Sequence, residues 1–140
     1  MPSARMQDQL AYLVASLNRQ LEDELEERLQ PGGVPIEQFR VLDVLDARER
    51  LPMGELATLS LIEPPTLTKI VDRMVSEALV YRAPDPDDRR RVLILAAPAG
   101  KALYKRLKGV SSAQEKRIVS HLSSDKAEAL KALLRELISE

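Results

Sequence analysis

The residues of this chain best suited to chemistry are cationic and clustered. Arg89, Arg90 and Arg91 follow Asp85-Pro86-Asp87-Asp88 and lead directly into the apolar run Val92 to Ala96. Asp and Pro favour turns, and the residue before a proline is pushed toward extended backbone. The spacing therefore predicts two short strands, Val80 to Pro84 and Val92 to Ala96, joined by a charged tip. Three adjacent guanidinium groups repel one another unless a polyanion lies near. Just upstream, the segment from Thr66 to Val75 is apolar on one helical face and places Pro65, Thr66, Thr68, Lys69, Asp72, Arg73 and Ser76 outward. Threonine methyls can meet thymine methyls, threonine hydroxyls can reach phosphates, and Lys69 and Arg73 suit guanine edges or phosphate. A solvated helix face is the ordinary meaning of such residues. The basic hairpin beside it tips the reading toward a helix that reads DNA.

Other chemistry has weaker support. Asp85, Asp87 and Asp88 are spaced like the start of a calcium loop, but the Gly and Glu that such a loop needs further on are missing, so a turn is expected. His121 is the only histidine, which rules out a multi-histidine zinc site. One histidine leaves a Ser-His-Asp triad arithmetically open, yet no nucleophile elbow accompanies it. Gly32-Gly33 lacks the Lys and Ser/Thr of a phosphate loop. Neither a metal nor a cofactor is expected.

Cysteine is absent, so disulfides, thiolate metal sites and thiol redox sensing are excluded, and a reducing cytoplasm suits the chain. No run reaches the length of a membrane-spanning helix and the first residues lack the apolar core of a signal peptide, so no membrane partner is expected. The net charge of -1 hides an uneven distribution. Residues 1 to 65 carry six basic and twelve acidic groups, whereas 99 to 140 carry nine basic and five acidic ones, with the arginine triplet between. A positive face for phosphate remains available.

The elements that must position these residues are mostly helices, since aromatics make up only 3% and the apolar set is Leu, Val, Ile and Ala. Met6, Leu10, Leu13, Val14, Leu17, Leu21, Leu25 and Leu29 recur at threes and fours and predict one helix from Arg5 to Gln30, ended by Pro31-Gly32-Gly33. A second helix follows Pro35 and turns Ile36, Phe39, Val41, Leu42 and Leu45 inward, with Leu51-Pro52 breaking it. A third spans Met53 to Ser60 around Leu56, Ala57 and Leu59. The fourth begins at Pro64-Pro65 and buries Leu67, Ile70, Val71, Met74, Val75 and Ala78. After the hairpin, Pro98 opens a fifth helix toward Leu122. Asp125 with Glu128 has the form of a capping box for a sixth, whose apolar face is Leu130, Leu133, Leu134, Leu137 and Ile138.

Taken in order, Gly33 to Leu42, then Glu55-Leu56-Ala57, then Ile62 to Arg73, the Asp85 to Arg91 hairpin and Leu122-Ser123-Ser124-Asp125 resemble the MarR/SlyA family of winged-helix transcriptional regulators over nearly the whole chain. The resemblance implies that the fourth helix reads the major groove, that Arg90 reaches the minor groove and that Asp88 steadies the wing. It also implies a small, often aromatic or anionic effector bound between the dimer region and the winged domain. Two departures stand out. Ala96-Ala97 replaces the family's Leu-Thr, which removes a cap worth ~1 kcal/mol and predicts a ragged start to the fifth helix. Leu61 stands where a glycine is common in the turn before the reading helix.

The expected protein is therefore mainly α with a small β-hairpin wing: one domain over 1–140, with 34–98 as the winged helix-turn-helix core and 1–33 and 99–140 as dimerisation helices. It is read as a cytoplasmic homodimer and a repressor of a pseudo-palindromic operator in double-stranded DNA, not an enzyme. The DNA-binding candidates are Pro65, Thr66, Thr68, Lys69, Arg73, Asp88, Arg89, Arg90 and Arg91. The candidate dimer residues are Leu10, Leu13, Leu17, Leu130, Leu134, Leu137 and Ile138, because their stripes exceed what one small domain can cover. A two-fold dimer would set two reading helices roughly 34 Å apart, one turn of B-DNA. A winged-helix module that binds protein partners and no operator is the alternative.

Overall fold

The computed structural model describes residues 4–139. Its elements run α1 (Ala4–Gln7), α2 (Leu10–Leu29), a 3-10 turn (Gln30–Gly32), α3 (Ile36–Arg48), β1 (Arg50–Pro52), α4 (Met53–Ser60), α5 (Pro64–Ser76), β2 (Val80–Asp85), β3 (Asp88–Ala96), α6 (Pro98–Leu122) and α7 (Ser124–Ile138). The chain forms two compact units that divide within α6, one up to Lys108 and one from Gly109 on. The expected class, mainly helical with a small antiparallel sheet, is what the chain adopts.

In the first unit the core gathers around α3, α4 and α5 on one face of the sheet. Val41, Leu42 and Leu45 of α3, Leu56 of α4, and Leu67, Val71 and Met74 of α5 pack with Val80 and Ile94 of the sheet. Burying a side chain of this size is worth about 1.5–3 kcal/mol. The sheet has one more strand than the sequence suggested. Leu51-Pro52, read as a simple helix breaker, belongs to β1, which pairs antiparallel with β3 through Arg50↔Leu95, Leu51↔Ile94 and Pro52↔Leu93. Strand order β1-β3-β2 leaves β1 at an edge, where a proline without an N–H is tolerated. Three residues are too few for an alternating pattern to show in sequence.

The first helix is interrupted, contrary to the single span expected. Leu10 starts α2 after a turn at Asp8-Gln9, with the Leu13 N–H donating to the Gln9 carbonyl. At the far end Gly33 takes left-handed backbone, φ 67°, as the Pro-Gly-Gly signal implied. Arg40 of α3 reaches Glu22 of α2 at 2.8 Å, and its guanidinium holds the Glu22 carboxyl below the ordinary carboxylate range.

Two residues expected in the core are outside it. Leu59 is 43% exposed because Ser60 takes the inward position on α4, its hydroxyl satisfied by donating to the Leu56 carbonyl. Ala78 is exposed because α5 stops at Ser76 and Ala78 adopts left-handed backbone, φ 59°. There the Leu79 N–H donates to the Met74 carbonyl and the Ala78 N–H to the Val75 carbonyl, the double bond pattern that closes a helix end. The turn after α4 uses the same device with Leu61 at φ 58°: the Ile62 N–H donates to Ala57 and the Leu61 N–H to Thr58. The turn keeps its geometry without glycine, at the strain a β-carbon brings to that region.

The start of α6 is not ragged. The Ala97 N–H donates to the Leu79 carbonyl at 2.9 Å, the Lys101 N–H donates to Ala97, and Gly100 lies against the Leu79 backbone. Tertiary contact substitutes for the missing threonine cap. In the second unit the cap of α7 is Ser123, whose hydroxyl oxygen accepts from the Lys126 N–H at 3.3 Å. Asp125 lies inside the first turn, so the capping box read from Asp125 and Glu128 does not form. Lys131 of α7 pairs with Glu115 of α6, a contact that holds the ammonium pKa above its ordinary value.

A methyl group on Gly100 would sit 2.0 Å from the Leu79 carbonyl oxygen, a backbone atom that cannot rotate away. Gly100→Ala is accordingly expected to cost at least about 3 kcal/mol. Thermal denaturation should register a fall of roughly 10 °C, and an unchanged midpoint would refute the close approach.

Candidate nucleic-acid interface

Helix α5 has two faces. Leu67, Val71 and Met74 have no accessible surface, while Pro65, Thr66, Thr68, Lys69 and Arg73 are all exposed. Leu67, Val71 and Met74 at spacings of four and three set one side against the core, so the polar residues are turned outward by helical geometry alone. Pro64 and Pro65 occupy the first turn, where their fixed φ fits and their missing N–H groups have no intrahelical partner to lose. Thr68 donates its hydroxyl to the Pro64 carbonyl at 3.1 Å and stays exposed. Arg73 is held by Glu77 one turn on, Nε to Oε1 at 2.8 Å, while its side chain stays 68% exposed.

The hairpin turns at Pro86-Asp87, and its arginines lie in strand, not in the tip loop. Asp85 accepts from the Asp87 N–H at 2.9 Å and Asp88 from the Arg90 N–H at 3.0 Å, so two aspartates pin the turn through their side chains. A register shift at Pro84/Asp85 brings Asp85 opposite Asp88. The repulsion expected among the three arginines is relieved by these carboxylates. Arg90 lies 3.6 Å from Asp88 with 93% of its side chain exposed, and Arg91 turns back to Asp85 at 3.8 Å and to Glu55 of α4 at 3.5 Å. Arg89 is exposed. The three guanidinium groups thus have different situations, which the bare run Arg-Arg-Arg could not show.

A residue the sequence reading missed ties the two elements together. Arg82 of β2 pairs with Asp72 of α5, so the hairpin is fastened to the outward face of the helix. The ten-residue separation matches no helix or strand period, so only the packing of β2 beside α5 could reveal the pair. Leu61, just before α5, and Pro64, in its first turn, are also exposed, though neither stood among the sequence's DNA-binding candidates.

Beside the sheet, α3 and the beginning of α6 line a pocket of 680 Å³ in which Leu42, Leu45 and Leu95 lie with exposed Lys101, Lys105 and Lys108 and with Asp46 and Glu49. The lysines fall on one face of α6 at spacings of four and three. Tyr104 also lines it; burial pushes its phenol pKa up, and the bond it donates to Asp43 adds to the shift. Among the described residues no cluster of His, Cys, Asp and Glu could hold a metal ion. None of the described helices is long and apolar enough to cross a membrane.

Residues 34–92 match the family model described as the MarR family. The chain is 29% identical over 103 residues to the homoprotocatechuate degradative operon repressor of Escherichia coli, spanning 74% of this chain and 70% of that one. Among solved structures it superposes on the MarR family transcriptional regulator SPO1453 from Silicibacter pomeroyi DSS-3 with a TM-score of 0.84 and 30% identity, covering 95% of each chain. It also superposes on a mutant MarR from Escherichia coli complexed with operator DNA, with a TM-score of 0.82 and 26% identity, covering 91% of this chain and 92% of that one.

Because Asp88 holds the Arg90 amide, Asp88→Ala should speed hydrogen exchange at that amide while costing under about 1 kcal/mol of global stability, as for other exposed polar contacts. An exchange rate unchanged from wild type would show that the wing is braced by something else.

Proposed function

Because the chain belongs to the MarR family of transcriptional regulators, we propose that it works as a homodimeric repressor that binds a pseudo-palindromic operator in double-stranded DNA. The observation that carries this reading is the fastening of the hairpin to the outward face of α5 by Asp72 and Arg82, which presents an exposed reading helix and an exposed Arg90 as one surface. In this reading Pro65, Thr66, Thr68, Lys69 and Arg73 meet the major groove, Arg89 and Arg90 meet the phosphates and the adjacent minor groove, and Asp88 and Arg91 brace the wing. Residues 34–98 form the DNA-binding core, with 1–33 and 99–140 supplying the dimer helices. The operator-bound relative of the same fold and the relative named as an operon repressor support DNA and repression as the activity.

Self-association is supported by apolar surface left uncovered in the single chain. On α2, Leu10, Leu13 and Leu17 are 61%, 51% and 46% exposed. On α7, Leu130, Leu137 and Ile138 are exposed and Leu134 is half-buried. A second copy is the partner whose matching stripes would remove them from water. The lysine-lined pocket supports a small aromatic or anionic effector, since a carboxylate could meet the ammonium groups while its ring lies on Leu42 and Leu45. An operator on chromosomal DNA supports a cytoplasmic protein.

Gel-shift titration against the DNA upstream of its own gene tests the reading. Arg90→Ala should weaken binding by about 1–3 kcal/mol and lower the salt slope by about one unit per arm, with an unchanged melting temperature. If wild type holds that DNA no more tightly than random duplex and Arg90→Ala changes nothing, the chain is a winged-helix module for protein partners instead. For assembly, Leu137→Asp should convert dimer to monomer or aggregate, since an unpaired buried carboxylate costs several kcal/mol. Sedimentation decides this, and a monomeric wild type at micromolar concentration would remove the dimer.

A further inference from the structure

Leu61 is the most exposed large hydrophobic side chain among the described residues, at 86% of its full accessible area. It also sits in left-handed backbone, φ 58° and ψ 38°, where a β-carbon is unfavourable and glycine is the usual occupant. The left-handed backbone closes the turn, but the exposed leucine side chain on it serves no part of the fold. The turn is closed by backbone hydrogen bonds, and it is Ile62 that supplies the buried side chain. Strain of this kind collects at surfaces that bind something.

The surroundings specify what. Leu61 lies in the turn that leads into α5, and the next exposed residues are Glu63, Pro64 and Pro65. The two prolines remove two of the N–H groups that an ordinary helix start offers to an anion. The Glu63 carboxylate adds a charge that repels phosphate. This leading end is therefore built against the sugar-phosphate backbone and in favour of apolar contact. In the major groove of DNA the apolar group on offer is the 5-methyl of thymine. We propose that Leu61 is a specificity-determining residue that packs on a thymine methyl where α5 enters the groove. This rests on the reading of α5 as the DNA-reading helix.

The test uses a duplex selected by the full-length wild-type protein from a random-sequence pool, and copies of it in which single symmetric thymine pairs are replaced by deoxyuridine, which lacks only the methyl. Wild type should lose roughly fourfold in affinity per arm at one such position, the worth of one methyl group removed from water. Leu61→Gly should bind the thymine duplex that much more weakly and be indifferent to the replacement, while melting no lower than wild type because the strain is relieved. Leu61→Met, which keeps an apolar side chain, should retain both affinity and thymine preference. Equal binding by Leu61→Gly with an unchanged thymine profile would overturn the proposal. So would a loss of affinity that is the same on thymine and deoxyuridine duplexes. Failure of wild type to enrich any duplex over random sequence would instead overturn the DNA-binding reading on which the proposal stands.

Discussion

Leu67, Val71 and Met74 are completely withdrawn from solvent, and the outward face of α5 depends on that anchoring. A helix that presents polar groups to a partner receives little stability from those groups, so it must be fixed from behind. Here a narrow apolar stripe packs against α3, α4 and the sheet, and the same backbone device ends α4 at Leu61, just before α5, and ends α5 at Ala78. Neither closing residue is glycine. The turns accept the strain because the residues that follow them, Ile62 and Leu79, are drawn into the core.

The hairpin depends on α5 in turn. Its cationic side chains would repel one another if they were held only by their own strand. Instead Asp85 and Asp88 supply local counter-charge, Glu55 draws Arg91 toward α4, and Asp72 takes Arg82. Exposed ion pairs of this kind add about 0–1 kcal/mol each. Their effect here is to sort the arginines: Arg91 is drawn to two carboxylates, while Arg90 is left almost entirely in solvent.

A third dependence runs through the joint between Leu79 and the start of α6. The Ala97 N–H bonds to the Leu79 carbonyl and Gly100 lies against the same peptide, so the base of the wing and the first turn of α6 are fixed to each other. The lysine-lined pocket opens beside this joint, with Tyr81 of β2 and Leu95 of β3 among its lining residues. A molecule bound there would touch the two strands of the hairpin.

The sequence by itself determined the helix count of the central region, the hairpin, the inward residues of α3 and the buried Leu67-Val71-Met74 stripe of α5. These follow from local periodicity and from where proline and glycine stand. It also identified which polar residues α5 exposes, because a helix with one buried side has only one other side. What it could not determine were contacts between residues far apart in sequence. β1 has no local pattern and exists because β3 offers it an edge. Leu59 lost its core position to Ser60, whose hydroxyl could be satisfied by a carbonyl one turn back. The start of α6 needed no capping threonine once Leu79 and Gly100 met. The different partners of Arg90 and Arg91 were decided by carboxylates that only the folded chain brings within reach, since a run of like charges states its sign but not its partners.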